Sequence, residues 1–363
     1  MEIQAALARA PHGAFSIETA YLDEPRSDEI QVRLVATGIC HTDMAVLEEI
    51  MPLPMPIVLG HEGAGIVEKV GSAVTGLSLG DHVVLTFGSC GHCLSCGTDH
   101  PAYCINAGAI NYSGRRADGS ATLRDKDGAA LNGAFFSQSS FATRALANAR
   151  NAIRVRPDAP LRLLGPLGCG FMTGAGTVLN VLEPRENGTL AIFGAGALGF
   201  AALFAAKLAG CERIVAVDRV PSRLELALQL GATNIIDAAK ENLGERLAAL
   251  GGLDYAIDTT GVPKIVEAAI QGLKMGGTCV LLGASAESQM AVNIMHMIPG
   301  RTIRGVIEGD SNPSSFVPFL VDRFMEGRFP IDRLVRFYPF DRINAAVADA
   351  VSGKTIKPIL EFS

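Results

Sequence analysis

The sequence predicts an α/β protein in two parts. Residues 171–307 form a doubly wound parallel sheet of six strands, and residues 1–170 with 308–363 form a mostly-β domain. Three observations predict this. First, "TLAIFG", "RIVAVD", "TNIID", "LDYAIDTT", "TCVLLG" and "TIRGVIE" read as strands, and helical stretches such as "ALGFAALFAAKLAG", "SRLELALQLG" and "VPKIVEAAIQGL" separate most of them. Strands alternating with helices call for a parallel sheet covered on both faces, and six strands complete a doubly wound dinucleotide fold. Second, the first 150 residues are short β-type segments punctuated by glycine ("EIQVRLVATG", "GIVEKVG", "GDHVVLTFG"), the pattern of a barrel-like or mixed β domain. Third, 363 residues exceed what one small core organises.

Composition narrows the function classes. Hydrophobic residues are 48% of the chain and charged residues 19%, enough apolar surface for a large core and too little charge for disorder. The net charge of −6 and the lack of a basic run argue against a phosphate-backbone partner, so no nucleic acid is expected. Glycine, proline or charge breaks every apolar stretch before the roughly 20 residues a membrane span needs. The N-terminus "MEIQAALARAPHGAF" has no basic segment followed by an apolar block, so a cytoplasmic protein is expected. There is no internal repeat and no low-complexity segment.

The nucleotide site follows from the first strand of the α/β part. "GAGALG", with Gly194, Gly196 and Gly199, leads from "TLAIF" straight into an Ala/Leu-rich helix. The first glycine permits the turn, the second lets the backbone approach a pyrophosphate, and the third lets helix pack on strand. The helix N-terminus then offers free N–H groups to the phosphates. "RIVAVD" ends in Asp218, nineteen residues past Gly199, where a Rossmann fold carries the carboxylate that accepts a ribose 2′-hydroxyl and repels a 2′-phosphate. NAD is therefore the expected cofactor. Arg219 and Arg223 leave NADP open, since an arginine beside that ribose tolerates the extra phosphate.

Eight cysteines divide unequally. Within the loop 88–104, Cys90, Cys93, Cys96 and Cys104 are spaced C-x2-C-x2-C-x7-C. In a reducing compartment such spacing marks metal ligands rather than disulfides. Four thiolates suit a tetrahedral zinc and leave it no open position, which predicts a structural site, with an iron–sulfur cluster as the rival. His92 and His100 read as loop residues outside that shell. "GICHTD", "GHEGAG" and "GPLGCG" supply Cys40, His61 and Cys169, one His and two Cys with a fourth position open, a pattern of catalytic zinc in alcohol oxidation. Cys211 and Cys279 have no partner motif and read as packing residues.

"GHEGAGIVEKVG", the four-cysteine loop, "GPLGCG" and "GAGALG" occur in the order and spacing of the zinc-dependent medium-chain alcohol dehydrogenases, which the chain resembles over essentially its whole length. "GICHTD", "FGSCGHC", "FFSQSSFATRALA", "IEGDS" and "GRFPIDRLVRFYPFD" are most similar to the bacterial aryl-alcohol (benzyl alcohol) branch, and geraniol and other allylic-alcohol dehydrogenases share them. The resemblance implies a GroES-like catalytic domain beside the Rossmann domain, and two zinc ions per subunit. Cys40, His61 and Cys169 would hold the catalytic one, and Cys90, Cys93, Cys96 and Cys104 the structural one. It implies Glu62 as a carboxylate able to approach the metal, Asp43 as acceptor of the second ring N–H of His61, and Thr42 as the hydroxyl bonded to the substrate oxygen. His41 and Lys357 fall where the family places cations against the pyrophosphate, and Thr173 falls near the nicotinamide. Phe87, Phe135 and Met295 fall on the alcohol pocket, with ordinary core packing the equal alternative for all three.

The implied activity is reversible hydride transfer from a primary aromatic alcohol to NAD, giving the aldehyde. Zinc lowers the pKa of the alcohol and the cofactor takes the hydride. An allylic or terpene alcohol dehydrogenase is the alternative, followed by a polyol or glutathione-adduct dehydrogenase and a non-catalytic zinc and nucleotide binder. The chain departs from one form of the family pattern: Ala45 stands where many members carry the histidine that ends the proton relay, which leaves solvent or His41 as the terminal acceptor. A homo-oligomer is expected, because the family pairs the sixth strand of the nucleotide domain across a dimer.

Overall fold

The structure is a computed structural model and describes residues 1–285, 287 and 289–362. It divides into two compact units, Met1–Met172 with Asn312–Ser363, and Thr173–Ser311. The boundaries thus lie two and four residues beyond those expected from sequence. The second shifts because the turn Glu308–Asp310 belongs to the nucleotide unit: Asn180 Nδ2 donates to Gly309 O at 3.1 Å and to Ser311 Oγ at 3.1 Å.

The first unit holds two sheets. A five-stranded antiparallel sheet runs Ile57–Val58, Glu2–Ala8, Ser16–Leu22, Leu123–Arg124, Ala130–Leu131 in spatial order. The path of a seven-stranded sheet runs Ala152–Arg154, His82–Leu85, Glu62–Val70, Glu29–Gly38, Lys357–Glu361, Val335–Pro339, with Arg144–Asn148 also paired to Glu29–Gly38. Ile30, Val32 and Leu34 alternate along Glu29–Gly38 and pack with Val67, Val83, Leu85, Ala145 and Ala147 into one core. Side chains two apart share a sheet face, so this alternation sets the register. That register matters for function. Gly38 pairs with Glu62, which brings the end of one strand, followed by Cys40, beside the start of the next, preceded by His61.

The second unit is a six-stranded, all-parallel sheet in the order Asn234–Asp237, Arg213–Asp218, Thr189–Phe193, Leu253–Asp258, Leu273–Leu281, Thr302–Gly305. The order reverses between Thr189–Phe193 and its two neighbours, the switch point at which open α/β sheets bind ligands. The helix Pro263–Gln271 buries Val266, Ala269 and Ile270 at i, i+3, i+4, the stripe of a one-faced helix. The helix Ala197–Leu208 is buried without a break from Gly199 to Ala206, so it is packed on all sides. Cys279 lies in the sheet core and Cys211 donates to Gly188 O at 3.2 Å, both packing roles.

Gly199 is where that helix meets its strand: a Cβ there would run into the carbonyl of Gly194. Gly199→Ala is expected to destabilise the protein by about 1–3 kcal/mol through overpacking, read as a lower denaturant midpoint. An unchanged midpoint would mean that the loop yields.

Candidate active site and metal centres

The first-unit site is built around a helix start. Cys40 is the N-cap of His41–Leu47, and Asp43, at the third helical position, returns its carboxylate to the cap: Cys40 N donates to Asp43 Oδ2 at 2.9 Å. The other oxygen, Oδ1, accepts from Gly60 N at 3.0 Å and faces His61 Nδ1 at 3.0 Å. One buried carboxylate therefore caps the helix, holds the turn before His61 and orients the imidazole. With Nδ1 carrying the proton, Nε2 keeps its lone pair. That atom is buried and has no hydrogen-bond partner.

What lies around Nε2 is a donor set. One ligand atom each from Cys40, His61, Glu62 and Cys169 falls within 4.8 Å of the others, and all four residues are buried. Cys169 reaches the group from the turn between Gly165–Gly168 and the helix Gly170–Gly176, with Gly170 N donating to Glu62 Oε1 at 3.3 Å. Glu62 is engaged elsewhere. Lys357 Nζ lies 2.9 and 2.8 Å from its two oxygens and donates to Ile39 O at 3.1 Å. Two thiols and an imidazole thus remain as donors, with a fourth position open, which suits zinc in a catalytic rather than a structural setting.

The electrostatics agree. Cys40 is drawn well below the usual thiol range, first by its hydrogen bond with Cys169 and then, against burial, by the positive charge of His61. Burial opposes a charged imidazole, yet Asp43 and the Cys40 thiolate hold the pKa of His61 well above its usual value. Burial also raises Glu62, an effect the Lys357 ammonium offsets. A pocket that keeps a proton on a buried imidazole attracts cations, and a metal entering it releases that proton.

The four-cysteine loop forms the second group, its four sulfurs also within 4.8 Å. Cys93 and Cys96 Sγ are 3.5 Å apart, Cys90 and Cys96 3.9 Å, and Cys90 N donates to Cys104 Sγ at 3.3 Å. Sulfurs about 2.3 Å from a tetrahedral zinc stand about 3.8 Å apart, far beyond a disulfide's roughly 2.05 Å. Backbone N–H groups, that of His92 first, hold Cys90 down to about 5, whereas burial pushes Cys104 up to about 11. His92 Nδ1 contacts Cys90 O at 2.8 Å, tying it to the loop backbone.

In the nucleotide unit the glycine loop fits a cofactor. Gly194 has φ +101°, and Gly196 has nothing within 4 Å of where a Cβ would stand. The fold alone does not require a glycine at 196, so the open space suits a ligand at the N-terminus of Ala197–Leu208. Asp218 Oδ2 accepts from Ala195 N at 2.7 Å, and Oδ1 from Arg219 N and Val220 N at 2.7 and 2.9 Å. A carboxylate has about four acceptor sites, so one remains for a ribose hydroxyl. Arg223 lies half-buried in the first turn of Pro221–Leu230. Thr173 Oγ1 donates to Glu308 Oε2 at 3.2 Å.

The remaining expected residues divide. His41 is exposed at the start of its helix and Thr42 is half-buried, its Oγ1 3.9 Å from Cys40 Sγ. Phe87 is buried. Phe135 is fully buried and meets the His61 ring edge-on at 5.5 Å. Two expectations need correction. Lys357 is 2% exposed, and its three N–H donors go to Glu62 and Ile39, which leaves none for a pyrophosphate. Met295 is 67% exposed on the short helix Ile294–Met297, beside exposed Ile294 and Ile298. It is an outward-facing side chain of this chain rather than a covered pocket wall.

Sequence reasoning missed four contributors. A Cβ on Gly38 would overlap Glu62 Oε2, so that glycine makes room for the carboxylate. Gln138 accepts from Gly63 N at 3.1 Å and donates to His61 O at 3.0 Å and Thr86 O at 3.2 Å. Phe136, at φ 49°, stacks on His61 at 4.5 Å, with Tyr112 edge-on to it at 5.2 Å. Gln138 and Phe136 lie in "FFSQSSF", where a run of polar residues enclosed by phenylalanines was the available signal.

Comparison with known proteins agrees with this geometry. Residues 26–156 match the alcohol dehydrogenase GroES-like domain family and residues 197–324 the zinc-binding dehydrogenase family. The chain is 41% identical to geraniol dehydrogenase of Castellaniella defragrans, over 99% of this chain and 97% of that protein. An alcohol dehydrogenase zinc-binding domain protein from Burkholderia ambifaria superposes with a TM-score of 0.98 at 50% identity, over 100% of this chain and 99% of that one. Benzyl alcohol dehydrogenase from Acinetobacter calcoaceticus superposes at 0.96 with 41% identity, over 100% of both chains.

Two expectations follow for the metal centres. Cys93→Ser should lose soluble assembly or lower the unfolding midpoint by more than about 5 °C, whereas Cys40→Ser should abolish turnover with the midpoint nearly unchanged. A stable Cys93→Ser protein dead only in turnover would reverse the assignment. Asp43→Asn should weaken the metal at Cys40, His61 and Cys169 by about 10–100-fold, seen as loss of one zinc per chain against a competing chelator while the second is retained.

Proposed function

This chain belongs to the zinc-dependent medium-chain alcohol dehydrogenase family, and within it we propose that it transfers hydride reversibly between a primary aromatic alcohol of the benzyl type and NAD. The carrying observation is the buried set Cys40, His61 and Cys169, with a partnerless Nε2 and with Glu62 held away by Lys357. Zinc bound there would supply the Lewis acidity that makes an alcohol acidic near neutral pH. NAD bound at the glycine loop would accept the hydride.

The chain's own residues do the rest. Asp43 holds His61 with its proton on Nδ1, so the lone pair of Nε2 stays directed at the donor group. Thr42, one helical residue from Asp43, offers a hydroxyl that can accept a substrate proton and pass it on. With alanine at 45, exposed His41 or solvent is the next acceptor. Gly194, Gly196 and the start of Ala197–Leu208 cradle the pyrophosphate, and Asp218 takes the adenosine ribose and disfavours a 2′-phosphate.

An aromatic substrate is supported by the rings around His61, where Phe135, Phe136 and Tyr112 form a connected aromatic wall, and by likeness to the benzyl alcohol enzyme. Likeness to the geraniol enzyme supports a second reading, allylic terpene alcohols. A homo-oligomer is supported by the edge strand Thr302–Gly305 and by exposed Met275, Ile294, Met295 and Ile298 in the same unit.

The test is NADH formation, followed by its near-ultraviolet absorbance, with benzyl alcohol, cinnamyl alcohol, geraniol and perillyl alcohol. The highest kcat/KM is expected with benzyl alcohol and NAD, and removing zinc with a chelator should abolish the signal. A higher kcat/KM for geraniol selects the second reading. A zinc-replete protein that binds NAD and forms no NADH from any alcohol overturns both.

A further inference from the structure

Two strands of the first unit part where the metal donors begin. Glu62–Val70 and His82–Leu85 pair as Ile66 with His82, Gly65 with Val83 and Ala64 with Val84. Continued in register, the ladder would next set Gly63 opposite Leu85 and Glu62 opposite Thr86. The side-chain amide of Gln138 joins the strand ends instead. Its Oε1 accepts from Gly63 N at 3.1 Å, and its Nε2 donates to His61 O at 3.0 Å and to Thr86 O at 3.2 Å. A side-chain amide carries the donor and acceptor of a peptide unit, so Gln138 replaces the missing rung. Gly63 lets it approach: a Cβ there would stand 2.8 Å from Ser140 Cβ and 3.2 Å from Gln138 Oε1.

The inserted segment is held in a strained conformation. Phe136, Ser137 and Ser139 all have left-handed backbones (φ 49°, 54° and 49°). Neighbours over-determine them: Ser139 Oγ donates to Val58 O at 2.6 Å and accepts from Phe135 N at 2.9 Å, while Ser140 N donates to Gly60 O at 2.9 Å. Plain strand pairing would satisfy backbone groups without that strain, and strain kept at a site points to a job there. Thr86 shows the job. Its carbonyl is held by Gln138 and by Asn151 Nδ2 at 3.0 Å, and its hydroxyl donates to Gly168 O at 2.7 Å. Gly168 precedes Cys169 and packs as closely: a Cβ on it would lie 2.1 Å from Leu85 O. A path from His61 O through Gln138 and Thr86 to Gly168 O, buried throughout, thus links two of the candidate metal donors. Gly170 N reaches Glu62 as well, but Lys357 competes for that carboxylate. The path through Gln138 and Thr86 uses neutral groups alone.

We propose that Gln138 and Thr86 are positioning residues whose bridge sets the separation of His61 Nε2 from Cys169 Sγ, and with it the affinity and coordination geometry of the metal that these donors share with Cys40. The proposal rests on the zinc reading above and adds two residues that tune the site from outside the donor set. They act through the backbone carbonyls of His61 and Gly168, one beside each donor side chain.

The experiment measures zinc dissociation constants by competition with a chromophoric chelator, the visible absorption of cobalt placed at Cys40, His61 and Cys169, and the unfolding midpoint of each variant. Thr86→Val keeps the shape and removes the hydroxyl. It should weaken zinc at that site about tenfold and shift the cobalt bands, with the zinc of the four-cysteine loop retained. Thr86→Ser keeps the hydroxyl and should bind zinc as the wild type does. Gln138→Met should act in the same direction as Thr86→Val. The double variant should lose less than the product of the two single losses, because both cut one path. If the Gln138→Met protein does not fold, the two Thr86 variants carry the test. A purely structural role would lower the midpoint and leave zinc affinity and cobalt bands unmoved. That result overturns the proposal, as do an unchanged Thr86→Val protein, equal losses in the Val and Ser variants, or single losses that multiply in the double variant. Wild-type protein that takes zinc at the four-cysteine loop alone would overturn the zinc reading itself, and the bridge with it.

Discussion

The contact between Asp43 Oδ1 and His61 Nδ1 organises the catalytic half of the molecule. Its carboxylate is fully buried and does three jobs with two oxygens: it caps the helix that begins at Cys40, holds the amide of Gly60, and fixes the imidazole tautomer. A buried carboxylate without such partners would be strongly unfavourable. Each partner is also a route by which the fold reaches the site. The cap places Cys40, the amide shapes the turn before His61, and the pairing of Gly38 with Glu62 carries both to one end of the sheet. Gln138 closes the arrangement from behind by binding the His61 carbonyl. The metal donors are therefore positioned by backbone hydrogen bonds that exist before any metal arrives.

The two cysteine-rich groups differ in what surrounds them. In the loop 88–104 the sulfurs are gathered by their own short helices and turns, and backbone N–H groups stabilise the thiolates directly. Such a cluster offers four sulfur donors, enough to close a tetrahedral shell. At Cys40, His61 and Cys169 the donors come from three distant segments of one unit, fully enclosed, with a carboxylate close by that an ammonium restrains. Closed coordination stabilises a loop, whereas an open position held inside a low-dielectric wall is where charge development can be controlled. On the proposed reading one element would serve opposite ends because the supporting residues differ.

The six nucleotide strands were legible because most are compact apolar runs bounded by turns, and "GAGALG" and Asp218 lie on the ends of the first two. The two groups of candidate metal donors that the structure gathers were legible through spacing and family resemblance. What the sequence hid were relations between residues far apart. Lys357 and Glu62 are 295 positions apart, and no periodicity links them. Phe136 and Gln138 looked like ordinary members of a polar-aromatic segment until the stacking on His61 and the bond to its carbonyl were visible. Met295 carries an apolar side chain whose exposure depends on the whole unit.

The Lys357–Glu62 pair explains how the open position stays open. Cys40, Cys169, Asp43 and Glu62 are four acidic groups in one buried region, and Lys357 is the ammonium among them. Burial works against charge on Lys357, but the Glu62 carboxylate outweighs it and raises the lysine pKa, so the ammonium persists. Were all four ionised, the Lys357 ammonium and the charged His61 imidazole would leave two negative charges, and a divalent cation that displaces the imidazole proton would leave one, a state a buried site tolerates far better. Without the lysine, Glu62 would be an unpaired carboxylate beside a cation and would occupy its fourth position. With the lysine, both carboxylate oxygens already accept hydrogen bonds, and displacing them would expose a buried ammonium. On the proposed reading the ion pair would act less as a stabiliser of the fold than as a restraint on Glu62, keeping its carboxylate from joining the three donors.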